Sequence, residues 1–156
     1  MSPQEGYEYG IVDEPGLPML EEALEKYPGL KFIGHSQPFW HEISQDAKPD
    51  LKSRMEWGKG PVKEGGRLVC LMRNYKNLYA DLSANSGGCA IMRDEKFGLQ
   101  FLEEFQDRLM FGTDMVNTDM VFPLGEWLDR QYQEGKLSAQ AYRKICFENA
   151  KKIFQL

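Results

Sequence analysis

A chain of 156 residues, 42% hydrophobic and 28% charged, has room for one ordinary domain with a buried core, which excludes intrinsic disorder. Its formal charge of -5 and lack of a basic cluster exclude the footprint of a nucleic-acid binder, because an acidic surface repels phosphate. No apolar stretch is long enough to cross a bilayer, and the opening MSPQEGYEYG lacks the basic and apolar regions of a signal peptide.

The first periodic segment is GLPMLEEALEKYPGL, residues 16–30. A proline suited to the first helical turn precedes Leu20, Ala23 and Leu24 at helical spacing, and Pro28 ends the pattern. LKFIGH (30–35) follows as a short apolar strand. GGRLVCLMRNYKN sets Leu68, Leu71, Met72 and Tyr75 on one stripe and reads as a helix ending near Asn77. LYADLSA (78–84) is the second strand. RDEKFGLQFLEEFQDR carries Phe97, Phe101, Leu102 and Phe105 at helical intervals, with acidic residues in the first turn where the helix dipole favours them. LMFGTD (109–114) is the third strand, and two further helices are expected over 120–134 and 138–153, the second opening at Ser138 as an N-cap. Strands separated by helices indicate βα units and a parallel sheet.

One stretch resists that scheme. SQDAKPDLKSRMEWGKGPVKEGG, residues 44–66, is polar, rich in Gly, Lys and Pro, and longer than an ordinary strand-to-helix connection, the profile of a functional lid or a mobile segment. The three cysteines, Cys70, Cys89 and Cys146, are odd in number and widely spaced. They read as reduced, small apolar residues of a cytoplasmic protein rather than as disulfides or thiolate zinc ligands.

In a parallel α/β fold the C-terminal ends of the strands face the site, because the following loops gather there. Here those ends read GH (34–35), DLSA (81–84) and GTD (112–114). His35 and Asp114 offer an imidazole nitrogen and a carboxylate oxygen, a donor set suited to zinc or another divalent transition metal. Gly34 and Gly112 would leave room beside them for a substrate or metal. Each residue also has a plainer reading. His35 can be a hydrogen-bonded strand-end histidine, and Asp114 can N-cap the next helix. Asp81 can be a buried carboxylate held by an arginine. His41 lies in a polar stretch and reads as surface. Phe39, Trp40 and Ser83 are candidate substrate-binding residues, although the two aromatics can equally pack in the core. Ser83 and Ser86 have no histidine at nucleophile spacing, and SGG at 86–88 falls short of a phosphate loop.

Together, LPMLEEALEKYPGLKFIGHSQPFWHEIS, NLYADLSANSG, FLEEFQDRLMFGTDM and the closing KICFENAKKIF resemble the C-terminal half of an amidohydrolase-related protein, of the amidohydrolase 2 type. That group comprises metal-dependent (β/α)8-barrel hydrolases and decarboxylases. The resemblance runs from about Gly6 to the end, and DRLMFGTD with ENAKKIF is its most specific part. It implies an α/β fold, a partial TIM barrel of about three parallel strands, the sixth to eighth, with flanking helices. Residues 1–156 would then be a single α/β domain. It implies that His35 ends the sixth strand and binds metal or substrate. Asp114 would end the eighth strand, as metal ligand and as the catalytic group handling the proton of an attacking water. Asn149-Ala150 matches a structural pair of the last helix. The implied cofactor is a divalent metal, zinc first, and the implied substrate a small organic molecule.

The family's metal site also draws on a His-x-His pair at the first strand, a fourth-strand residue and a fifth-strand histidine, and this chain has no His-x-His. Two ligands fall short of the three protein ligands of a catalytic zinc, so the chain alone is expected to bind metal weakly and turn over little or nothing. The other reading is a non-catalytic remnant or fragment that folds as an α/β oligomer. Strand parity places Ile33 with His35, and Met110 and Gly112 with Asp114, on a face that only a complete barrel would cover. Open edges and an open face predict a homo-oligomer or a partner chain supplying the missing half-barrel.

Overall fold

The computed structural model describes residues 10–156. The opening stretch 1–9, read above as lacking a signal peptide, lies outside them. Helix α1 (Pro18–Lys26) starts with its proline in the first turn, and the buried Asp13 carboxylate accepts from the Met19 and Leu20 amides at 3.0 and 2.8 Å. That carboxylate satisfies donors that no earlier turn can reach. Strand β1 (Phe32–Gly34) leads into the short α2 (Gln37–His41). After α3 (Leu51–Arg54) and α4 (Arg67–Asn74) comes β2 (Leu78–Asp81). The pair α5 (Ala84–Met92) and α6 (Glu95–Glu104) precedes β3 (Leu109–Met110). The chain closes with α7 (Leu124–Gln133), α8 (Ala139–Arg143), a π-helical turn (Lys144–Glu148) and α9 (Asn149–Phe154).

The three strands form one sheet in the order β1-β2-β3, parallel throughout. Phe32 pairs with Leu78 and Gly34 with Ala80, which in turn pairs with Leu109. This alternation puts Leu78, Ala80 and Leu109 on one fully buried face, where they share a core with Leu68, Leu71 and Met72 of α4 and Phe101 and Leu102 of α6. Ile33, Tyr79 and Met110 fall on the opposite face. Met110 is buried there, whereas Ile33 stays exposed. The α/β class and the parallel sheet expected from the sequence are present.

The outer side of β3 differs from the expectation of an open edge. The Phe111 amide donates to the Ile145 carbonyl of the π-helical turn at 2.8 Å. Asn149 Nδ2 donates to the carbonyls of Leu109 and Gln106 at 2.8 and 2.6 Å. The C-terminal helix therefore supplies partners that a neighbouring strand would otherwise supply. On β1, Phe32 donates toward β2, to Asn77 O, so alternation turns the backbone groups of Ile33 and His35 outward.

Two further differences concern connections. Helix α5 occupies a stretch read only as the end of a strand and a short glycine run. The 44–66 segment is pinned rather than loose: the Gln45 amide donates to Lys63 O, the Val62 amide to Asp94, and the buried Arg54 to Asp13 O. Among the described residues no helix is long and apolar enough to cross a membrane. The cysteines are free and half-buried, and burial pushes the Cys146 thiol up to about 11 and raises Cys89 as well, which keeps both protonated at neutral pH.

Candidate active site

A strained backbone residue follows each strand. Ser36 (φ 76°), Ala84 (φ 55°) and Asp114 (φ 53°) have positive φ in the segments just after β1, β2 and β3, Ala84 being the first residue of α5. Non-glycine residues adopt this region at a cost and concentrate at functional sites. Ser36 is the most strained, with ψ at 171° in a region open essentially to glycine, and its buried hydroxyl has no partner among the described residues.

These turns deliver His35, Asp81, Ser83 and Asp114 to one place. The register sets His35 beside Asp81, and His35 Nδ1 lies 3.0 Å from Asp81 Oδ1. On the other side of the ring His35 Nε2 lies 4.0 Å from Asp114 Oδ2. Ser83 donates to Asp81 Oδ1 from both its amide, at 3.0 Å, and its hydroxyl, and its Oγ is 3.3 Å from His35 Nδ1. Asp81 is thus not held by an arginine, as its plainer reading had it. Its partner is His35, because adjacent parallel strands place the two side chains on the same face. Asp114 does not cap a helix, since the next helix begins only at Leu124.

The sequence reading found no histidine spaced for Ser83, yet the fold brings one within 3.3 Å. The trio is still not a nucleophilic triad. In a triad the serine and the carboxylate occupy opposite ring nitrogens, whereas here both sit at Nδ1. Asp81 was the residue that sequence reasoning undervalued, and its alternation with Tyr79 and Ser83 was the available signal.

Phe39 and Trp40 are both buried, their rings edge-on at 5.4 Å, and Trp40 continues edge-on to Phe101 at 6.1 Å. Phe39 also lines, with Ile33, His35 and Ser36, a cavity of about 330 Å³ along β1. Gly34 does not make room for a ligand. A Cβ there would lie 2.1 Å from the Phe39 ring, because strand parity turns this position toward the core. Gly112 does face the site, and a Cβ there would meet Ser83 Cβ at 3.2 Å. His41 is half-buried and its Nε2 lies 2.9 Å from Lys48 O, away from the strand ends.

A tetrahedral zinc with bonds of about 2.1 Å holds two ligand atoms roughly 3.4 Å apart. The His35–Asp114 separation of 4.0 Å is close to that spacing. Asp81 cannot be a third ligand on the same ion, since it sits at the opposite ring nitrogen. Among the described residues no group of three or more His, Cys, Asp or Glu side chains is placed to hold a metal ion. The described residues therefore place two donors near that spacing and do not form a complete metal-binding group.

Residues 11–156 match the family model described as Amidohydrolase. No curated protein and no solved structure gave a significant match.

Proposed function

The chain belongs to the amidohydrolase family, and from that premise we propose that it carries part of a hydrolase-type active site acting on a small organic molecule. The observation that carries this reading is the approach of His35 Nε2 to Asp114 Oδ2, 4.0 Å apart at the ends of two strands that β2 separates. In this reading β1, β2 and β3 are the sixth, seventh and eighth strands of a barrel. Asp114 is half-exposed, and a carboxylate held at a strand mouth can take the proton of an attacking water. His35 positions that water or the substrate through Nε2. Phe39 forms the apolar wall of the neighbouring cavity, with Trp40 backing its ring. Ser83 gives its hydroxyl hydrogen to Asp81 and keeps lone pairs for a substrate donor.

The family's chemistry is usually metal-assisted, and zinc or a similar ion would polarise the scissile group and its water. Because the described residues offer only two suitable donors, the remaining ligands of such a site would come from outside them. The alternative reading, a non-catalytic remnant, is favoured by one observation: no three-ligand group exists among the described residues.

The test is a hydrolysis and decarboxylation panel of small amides, esters and aromatic carboxylates, run with zinc or manganese on the protein in its native assembly. Turnover that is lost in both His35→Asn and Asp114→Asn supports the active-site reading. Turnover retained in either variant overturns the assignment. No turnover with any metal supports the remnant.

A further inference from the structure

We propose that Asp81, backed by Ser83, is a positioning residue that fixes His35 as its Nδ1–H tautomer and turns the Nε2 lone pair toward Asp114. This rests on the reading of His35 and Asp114 given above and adds the device that makes the imidazole usable.

A neutral imidazole carries its hydrogen on one nitrogen and an acceptor lone pair on the other, and the partner of each nitrogen decides which. An ionised carboxylate can only accept. The 3.0 Å approach of His35 Nδ1 to Asp81 Oδ1 is therefore a hydrogen bond only when Nδ1 bears the hydrogen. Asp81 in turn has little freedom. The same Oδ1 accepts the Ser83 amide at 3.0 Å and the Ser83 hydroxyl, a two-residue turn that fixes the carboxylate at the end of β2. With Nδ1–H committed to Asp81, Nε2 is left as an acceptor. It faces Asp114 at 4.0 Å, too far for a direct hydrogen bond. A gap of that size between two acceptors suits an atom or ion that both can bind. A carboxylate behind a ligating histidine is a recurrent means of setting ring orientation and basicity.

The chain contains an internal control. Its only other histidine, His41, has Nε2 at 2.9 Å from the Lys48 carbonyl. A carbonyl also only accepts, so His41 must carry its hydrogen on Nε2. The two histidines of this protein should therefore be opposite tautomers.

Long-range nitrogen–proton NMR of the labelled full chain without added metal, at about pH 8.5 where ordinary imidazoles are neutral, reads this directly. His35 is expected to show a protonated Nδ1 and an acceptor-type Nε2, and His41 the reverse pattern. In Asp81→Ala the His35 nitrogens should shift toward a mixture of tautomers while those of His41 stay in place. Ser83→Ala should retain the Nδ1–H form, because Asp81 still accepts. A wild-type His35 protonated at Nε2, or a His35 pattern unmoved by Asp81→Ala, overturns the proposal. If Asp81→Ala does not fold, the wild-type spectrum alone decides. The readout needs neither metal nor substrate. The predicted tautomer found in a protein that hydrolyses nothing upholds the positioning role and sinks the hydrolase reading instead.

Discussion

Asn149 reaches from the last helix to the backbone of β3 and donates to the Leu109 carbonyl at 2.8 Å. The same amide donates to Gln106 O at 2.6 Å, so one side chain satisfies two acceptors beside the sheet. Both partners become unpaired in Asn149→Ala. Leaving the buried Leu109 carbonyl unsatisfied costs about 1–3 kcal/mol and the half-buried Gln106 carbonyl less, so a loss of about 2–3 kcal/mol is expected in urea unfolding. Asn149→Asp should be worse near neutral pH, because a carboxylate would face two carbonyl oxygens. A loss under about 0.5 kcal/mol for Asn149→Ala would remove this contact from the sheet's support.

Gly34 and Gly112 separate packing from site geometry. Gly34→Ala drives a Cβ into the fully buried Phe39 ring, 2.1 Å away, and overpacking of this kind costs about 1–3 kcal/mol. Gly112→Ala meets only Ser83 Cβ at 3.2 Å, a contact a small shift relieves. Thermal unfolding should therefore show a clear drop for Gly34→Ala and a smaller one for Gly112→Ala. Equal drops would contradict the assignment of the two glycines to opposite faces.

Ser36 tests the strain at the strand ends. Its φ of 76° and ψ of 171° suit glycine, and its buried hydroxyl has no partner among the described residues. Relief of about 1–3 kcal/mol of strain outweighs the roughly 0.5–1 kcal/mol that glycine's chain entropy costs. Ser36→Gly is expected to raise stability by about 1 kcal/mol in denaturant unfolding. A destabilised variant would mean that the hydroxyl or the Cβ has a role the contacts do not reveal.

Asp94 ties the start of α6 to the long loop and makes stability depend on pH. Hydrogen bonds from the Phe97 amide, and next from the Val62 amide, hold its carboxyl below the ordinary value of 3.8. A depressed folded pKa means that the stabilisation is complete above the unfolded value and is lost as pH falls through the folded one. Asp94→Ala should cost about 1–2 kcal/mol at pH 7 by loss of the cap and the loop anchor. The difference from the wild type should shrink below pH 3.8. A difference that stays constant down to acid pH would contradict the carboxylate's role.

How much of this was legible in the sequence depended on periodicity. Helices α1, α4, α6 and α7 follow their apolar stripes, and Ser138 caps α8 by accepting from the Ala141 amide, as its residue type suggested. Helix α5 was not legible. Its sequence ANSGGCAIM carries two glycines and a serine, poor helix formers, and packing overrides propensity there. A Cβ on Gly87 would come within 2.7 Å of the Leu82 backbone, so close packing is what the glycine serves. His35 and Asp114 stood out because strand ends and a family pattern single them out. The contact between His35 and Asp81 did not, because it depends on which strands neighbour each other and in what register.

Zinc titration by calorimetry on the wild type, His35→Ala, Asp114→Ala and the double variant addresses the shared site most directly. If the two side chains form one half of a metal site, the wild type binds zinc weakly at one saturable site. Either single substitution removes that binding, and the double substitution adds nothing further. Zinc binding that survives both single substitutions unchanged would show that His35 and Asp114 do not share an ion.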